Sequence, residues 1–214
     1  ATDSYLRIPN VIAAAETTGC EAGHPGFGFL SENPAFVRAC TENNLVFVGP
    51  PAEVMEKTGD KARAKAEMRA AGVPLVPGTE GVASLAEIRV AAAELGFPVL
   101  LKATAGGGGK GMRVVTAPDD LEAAYGAASA EAEAAFGDGS LYLERALVPA
   151  RHVEIQVLCD GQGGVLTLGE RECSIQRRHQ KLIEESPSLA LTPETREAME
   201  ASVERACRQL GYVN

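Results

Sequence analysis

The sequence predicts a mixed α/β protein, and three observations predict it. Helix signals alternate with a glycine-punctuated loop and a short apolar strand in the first 50 residues, the texture of an α/β layer with parallel strands. From residue 99 onward the chain reads as a succession of strands around one long helix. A run of four glycines followed by a lysine links two of those strands.

The helices are legible from their ends. Pro9 early in a first turn and Gly19 after the last turn bracket a helix to about Thr18. Asn33-Pro34 is an N-cap and first-turn pair for a helix to about Asn43. Asp60 caps a helix rich in Ala, Lys and Arg that stops at Gly72, with Pro74 beyond. Ser84 and Glu87 have the spacing of a capping box for a helix ending at Leu95-Gly96. A long helix is expected from about Pro118 to Phe136, and Thr192-Pro193 opens a last one to Leu210. Pro74 to Gly78 reads as a hinge between domains.

The strands follow from apolar runs bounded by turn residues. Leu45–Val48, closed by Gly49-Pro50-Pro51, reads as a buried strand. The others are Val99–Lys102, Met112–Val115, Leu141–Glu144, Val153–Leu158 and Val165–Leu168, with Asp160-Gly161-Gln162-Gly163 as the hairpin turn between the last two. Along Val153–Leu158, alternation puts His152, Glu154, Gln156 and Leu158 on one face and Val153, Ile155 and Val157 on the other, expected to be core.

Bulk properties exclude several function classes. The 214 residues are 45% hydrophobic and 23% charged, with a net charge of −9 from 20 basic and 29 acidic side chains. An acidic surface does not attract phosphate backbones or anionic lipid, so neither nucleic acid nor membrane is an expected partner. The five cysteines are scattered without a C-x-x-C pair, which fits reduced thiols and a cytoplasmic setting. None of the three histidines has metal-ligand spacing.

The glycine run Gly106–Gly109, followed by Lys110-Gly111-Met112, carries the most chemistry. Consecutive glycines cost conformational entropy, and what they offer is backbone amides that approach a polyphosphate without side chains in the way. The P-loop pattern fails, because Thr104 holds its first glycine position and Gly111 follows the lysine. The G-x-G-x-x-G pattern is met, but the loop leads into a strand and not a helix, so the dinucleotide context fails. What remains is a strand–loop–strand flap with Lys102 ending the strand before it.

That flap resembles the lid of ATP-grasp enzymes, and its wording, KATAGGGGKGM, is similar to that of biotin carboxylases, the ATP-using component of acyl-CoA and pyruvate carboxylases. Other blocks agree in order from Ser4 to Pro187: SYLRIPNVIAAAE, GHPGFGFLSEN, FVGP, GDK, AGVPLVPG, ARHVEIQVL and ERECSIQRRHQKLIEESP. The resemblance implies part of an N-terminal biotin carboxylase domain, pre-ATP-grasp and Rossmann-like, over 1–57. An incomplete ATP-grasp domain would follow over 58–214, its α+β lid at about 76–146. It also implies that the chain lacks both ends of the enzyme, that Mg²⁺ or Mn²⁺ ligands lie beyond Asn214, and that the 214 residues alone do not turn over.

The resemblance further assigns the site. Lys61 and Lys102 would meet ATP phosphates under the amides of Gly107, Gly108 and Gly109. Met112 would pack on the adenine, and Glu144, Arg145 and Leu147 would meet its edge. His152 and Gln176 would lie near the ribose, His179 near the terminal phosphate and Lys181 at bicarbonate. By the residues alone, Lys61 reads as a solvated cation in a helix's first turn, Met112 as core, Glu144 as a strand end, and 176–181 as a surface basic run. Phe27 stands where the family has tyrosine near biotin, and Gly23 where a larger aliphatic is common. The implied reaction is ATP-driven carboxylation of biotin through carboxyphosphate. The implied partners are bicarbonate, a biotin carboxyl carrier protein, a carboxyltransferase and a second copy of the chain. Another ATP-grasp ligase, of the carbamoyl-phosphate synthase or purine-pathway carboxylase kind, or a non-catalytic fragment, stays open.

Overall fold

The structure is a computed structural model and describes residues 4–79, 81–105, 111–177 and 180–214. Gly107, Gly108, Gly109 and His179 lie outside the described residues. The chain divides into two compact units. One holds Ala1–Val73, Ile155–Leu168 and Pro193–Asn214, and the other Pro74–Glu154 and Gly169–Thr192.

The first unit begins with α1 (Ile8–Thr18), stopped by Gly19 in the left-handed conformation with φ 67°. There glycine avoids the Cβ penalty, and its amide and that of Cys20 meet the last carbonyls. β1 (Ala22–Gly23) follows, then α2 (Pro34–Glu42), whose cap Asn33 accepts from the amides of Ala35 and Phe36. β2 (Val46–Phe47) pairs parallel with β1. Ile12, Leu30, Phe36, Cys40 and Leu45 form the core here. The expected buried strand Leu45–Val48 is corrected. Only Val46 and Phe47 are strand, and Val46 is 64% exposed, whereas Leu45 is buried and Phe47 packs part-buried against the core.

α3 (Ala52–Gly59) was not expected from the sequence; Pro51 in extended geometry serves as its cap. α4 (Lys61–Ala70) starts behind Asp60, whose carboxylate accepts from the Arg63 amide at 2.9 Å. The guanidinium of Arg205 donates to the carbonyls of Ala71 and Gly72 at 3.1 and 3.3 Å, satisfying the end of α4.

The second unit contains the sheet expected to be the lid. α5 (Leu85–Leu95) has both hydrogen bonds of the Ser84–Glu87 capping box. β3 (Val99–Ala103) is the centre of a three-stranded antiparallel sheet, between β4 (Met112–Val115) and β5 (Leu141–Arg145). A short 3₁₀ turn, Pro118–Asp120, leads into α6 (Leu121–Phe136), so the expected single helix from Pro118 starts later. Alternation sends Val99, Leu101, Ala103, Val115, Leu141 and Leu143 to one face, where they pack with Ile88, Ala92, Leu121, Ala128 and Ala132 of the two helices. Gly111 closes the flap against this core. Its φ is +66°, and a Cβ there would stand 2.7 Å from the Ala103 Cβ and 3.2 Å from that of Ala132.

β6 (Val153–Cys159), β7 (Val165–Arg177) and β8 (Gln180–Glu185) form a second three-stranded sheet in that order. Asp160 builds the β6–β7 turn by accepting from the amides of Gln162 and Gly164 at 2.8 and 2.7 Å. β7 runs far past Leu168, and β8 was not expected at all; the two pair with Gln176 opposite Lys181. Val153, Ile155 and Val157 are only half-buried, so the expectation that this face is core is corrected. Among the described residues no buried cluster lies on that face. α7 (Pro193–Leu210) completes the helices.

Candidate functional site

The lid sheet has one face on the helices and one that carries chemistry. Across the ladder, Lys102 pairs with Met112 on β4 and with Tyr142 on β5, so the three side chains stand in one row. Glu144, two residues beyond Tyr142, shares their face. The Lys102 ammonium lies 3.0 Å from the Glu144 carboxylate and 5.5 Å from the centre of the Tyr142 ring. Burial pulls the Lys102 ammonium down, but the hydrogen bond and charge of Glu144, together with Tyr142, outweigh it and hold it above its ordinary value. Burial pushes the Tyr142 phenol up, so it stays protonated.

The segment before α5 runs beside β5. The Arg145 amide donates to Pro77 O at 2.8 Å, and the Thr79 amide donates to Leu143 O at 2.9 Å. A Cβ on Gly78 would stand 2.1 Å from Leu143 O, so only glycine permits this approach. The Arg145 guanidinium is turned to Leu95 O at 2.7 Å, and Leu147 is exposed.

A second group is centred on Glu154. Its carboxylate accepts from the Lys181 ammonium and from Nε and Nη2 of the Arg171 guanidinium, with Nε at 2.8 Å. His152 Nε2 is 3.3 Å away. Gln176 Nε2 donates to Cys173 O at 2.8 Å and meets His152 Nδ1 at 3.0 Å. The amide nitrogen is a donor to both, which makes Nδ1 the acceptor. Burial pushes the Glu154 carboxyl up, yet the hydrogen bonds from Lys181 and Arg171 and their charges carry it below the ordinary carboxylate range. The same hydrogen bond raises Lys181. Arg171 reaches on to Glu184 at 2.8 Å.

The structure therefore brings together His152, Gln176 and Lys181, and separately Lys102, Glu144 and Met112. Lys61 opens α4 in the first unit. Sequence reasoning missed Tyr142, Glu154 and Arg171 as site residues. Glu154 had a signal, since it alternates with His152 on the polar face of β6. Arg171 and Tyr142 had none beyond their place in charged or apolar strands. Chemically, a part-buried lysine on the central strand, in one row with Met112 and Tyr142, suits a polyphosphate attached to a flat ring. The Glu154 group suits a small oxyanion at Lys181. Among the described residues, no group of three or more His, Cys, Asp or Glu is placed to hold a metal. No described helix is long and apolar enough to cross a membrane.

Residues 60–214 match the family described as the carbamoyl-phosphate synthase L chain ATP binding domain, and residues 1–55 match the biotin carboxylase N-terminal domain. The biotin carboxylase of Nostoc is 49% identical over 210 residues, which is 98% of this chain and 47% of that protein. That of Pseudomonas aeruginosa is 50% identical over 214 residues, 99% of this chain and 48% of that protein. The Campylobacter jejuni biotin carboxylase, solved as a β,γ-ATP complex, superposes with a TM-score of 0.92 at 49% identity, covering 98% of this chain and 47% of that one. The biotin carboxylase domain of the Hydrogenobacter thermophilus 2-oxoglutarate carboxylase, a dimer solved with MgADP, ADP and bicarbonate, gives 0.90 at 48%, covering 98% and 47%. The chain belongs to the biotin carboxylase family, and its fold is that of a partial ATP-grasp enzyme. It spans about half the length of the curated relatives it matches.

Proposed function

We propose that this chain is the nucleotide- and bicarbonate-handling part of a biotin carboxylase, which carboxylates carrier-bound biotin at the expense of ATP. The observation that carries the reading is the Glu154 group: Lys181 donates to its carboxylate, His152 Nε2 stands 3.3 Å from it, and Gln176 is hydrogen-bonded to His152. In this reading residues 1–57 are part of the N-terminal domain, 58–214 part of the ATP-grasp domain, and about 76–146 its lid.

Lys102 holds phosphate oxygens from the lid sheet, with Gly107, Gly108 and Gly109 covering them and Lys61 adding charge. Met112 lies against the adenine, while Glu144, Arg145 and Leu147 meet its edge. His152 and Gln176 hold the ribose, His179 the terminal phosphate, and Lys181 orients bicarbonate. A bicarbonate oxygen attacks the γ-phosphorus and ADP leaves; the carboxyphosphate then splits into carbon dioxide and phosphate, the phosphate takes the ureido N–H proton of biotin, and that nitrogen adds to the carbon dioxide. Positioning and charge do most of the work in such transfers, which suits lysines and amides. Mg²⁺ or Mn²⁺ would neutralise charge on the phosphates. The partners in this reading are a biotin carboxyl carrier protein, a carboxyltransferase and a second copy, in the cytoplasm. The 214 residues alone bind nucleotide weakly and do not turn over.

The family match of residues 60–214 favours one second reading, an ATP-grasp ligase of the carbamoyl-phosphate synthase kind. ADP release separates the two. These residues are grafted into the Pseudomonas aeruginosa relative in place of its own, and bicarbonate and biotin are omitted in turn. Dependence on both supports biotin carboxylation, and indifference to biotin supports the ligase.

A further inference from the structure

We propose that Glu172 is a positioning residue that, through Ser174, fixes the backbone of His152 and with it the place where the imidazole and the Gln176 amide meet a nucleotide ribose. The inference rests on the nucleotide reading above. Glu172 is 7% exposed, and a buried carboxylate needs several donors to offset its lost hydration. It has them on both oxygens. Ser174 Oγ donates to Oε1 and Ser188 Oγ to Oε2 at 2.7 Å, with the Arg151 guanidinium 3.7 Å from Oε2. Each serine in turn accepts from a backbone amide, Ser174 from His152 at 2.8 Å and Ser188 from Ala190 at 3.2 Å.

A hydroxyl has one hydrogen to give and turns freely about its bond. Ser174 is exposed, so on its own it would exchange partners with water. Committing that hydrogen to the buried Glu172 leaves its lone pairs facing the His152 amide. The His152 carbonyl is held as well, by the Cys173 amide at 2.7 Å, so β7 grips both backbone groups of His152. Against β8, β7 carries one extra residue between Glu172 and Ile175, a bulge, and bulges re-aim side chains beside functional sites. The same segment holds the other ribose candidate. Cys173 O accepts from Gln176 Nε2 at 2.8 Å, and that nitrogen meets His152 Nδ1 at 3.0 Å. Glu172 acts on the pair through Ser174 and the bulged backbone of β7.

The test follows amide hydrogen exchange by NMR in the ¹⁵N-labelled 214-residue chain. Isothermal titration then compares ATP with 2′,3′-dideoxy-ATP, which lacks the ribose hydroxyls. Glu172→Met removes both acceptor oxygens at similar length. It should speed exchange at His152 and Ala190 about tenfold, the scale of one hydrogen bond. Ser174→Ala should speed His152 by as much and leave Ala190 alone. The double variant should exchange at His152 no faster than Ser174→Ala, because the two residues act in series. In both single variants the preference for ATP over the dideoxy analogue should shrink at least about threefold, within the range of one hydrogen bond, while dideoxy-ATP binding holds. Glu172→Gln, which keeps one acceptor oxygen, should give the same pattern at smaller amplitude, and it carries the test if the Met variant does not fold. An unmoved His152 amide in the Glu172 variants overturns the proposal, and so does exchange that rises alike at every amide. Equal losses for the two nucleotides also overturn it, since that is a general packing effect. If the exchange pattern holds but the unsubstituted chain shows no preference for ATP, the tie from Glu172 to His152 stands and the ribose reading fails.

Discussion

Lys102→Met removes the positive charge that faces a buried carboxylate. Glu144 is 7% exposed and its Oε2 lies 3.0 Å from the ammonium, while the Lys102 side chain is 27% exposed. Breaking a fully buried pair costs about 3–5 kcal/mol, whereas exposed pairs contribute at most about 1 kcal/mol. A pair with one buried and one partly exposed member falls between, at about 2–3 kcal/mol. With a urea slope of about 2–3 kcal/mol per molar, the midpoint should fall by about 1 M. Urea unfolding followed by circular dichroism reads this. Lys102→Met/Glu144→Met should recover at least about 1 kcal/mol relative to the sum of the two single changes. A Lys102→Met midpoint within 0.2 M (roughly half a kcal/mol on that slope) of the parent, or strict additivity, would refute the argument.

Three further outcomes follow from the same geometry. Despite burial, the hydrogen bonds from Lys181 and Arg171 hold the Glu154 carboxyl below its ordinary value, so its stabilisation is complete above the ordinary value and is lost as pH falls from there through the depressed folded-state value. Glu154→Gln should therefore flatten the acid limb of the stability–pH curve, and an unchanged limb would contradict the Lys181 and Arg171 pairing. Of the five cysteines only Cys20 is exposed, and burial together with its neighbour Cys159 pushes the Cys207 thiol up to about 11. A disulfide reagent at pH 8 should thus modify one thiol rapidly in the native chain and five in denaturant. Gly111→Ala should destabilise by at least about 2 kcal/mol in urea titration, since φ is +66° and the new Cβ meets the Ala103 and Ala132 methyls.

What the sequence made legible was local. Asn33, Asp60, Ser84-x-x-Glu87 and Gly19 act within four residues of what they cap, and each does what its type and spacing suggest. The strands of the lid were legible for the same reason, being apolar runs bounded by turns. What was not legible depends on long-range register. Tyr142 meets Lys102 across 40 residues because β5 pairs with β3, and no local pattern specifies that partner. His152 and Gln176 meet across 24 residues, and only their resemblance to a known family put both at one ligand. β8 escaped notice because all six of its residues are exposed and show no alternation of burial. Val46 looked like core by composition, yet it stands in solvent.

The central claim, that these residues handle ATP and bicarbonate for biotin carboxylation, is tested most directly by following ¹⁴C-bicarbonate onto biotin. The measurement uses the graft into the Pseudomonas aeruginosa relative, with and without ATP, and repeats it with Lys181→Gln. The account predicts ATP-dependent label on biotin that falls by at least about 100-fold in the Lys181 variant, the scale of losing one charge-stabilising group. Label that never reaches biotin while ATP is consumed, or that survives Lys181→Gln undiminished, would contradict it.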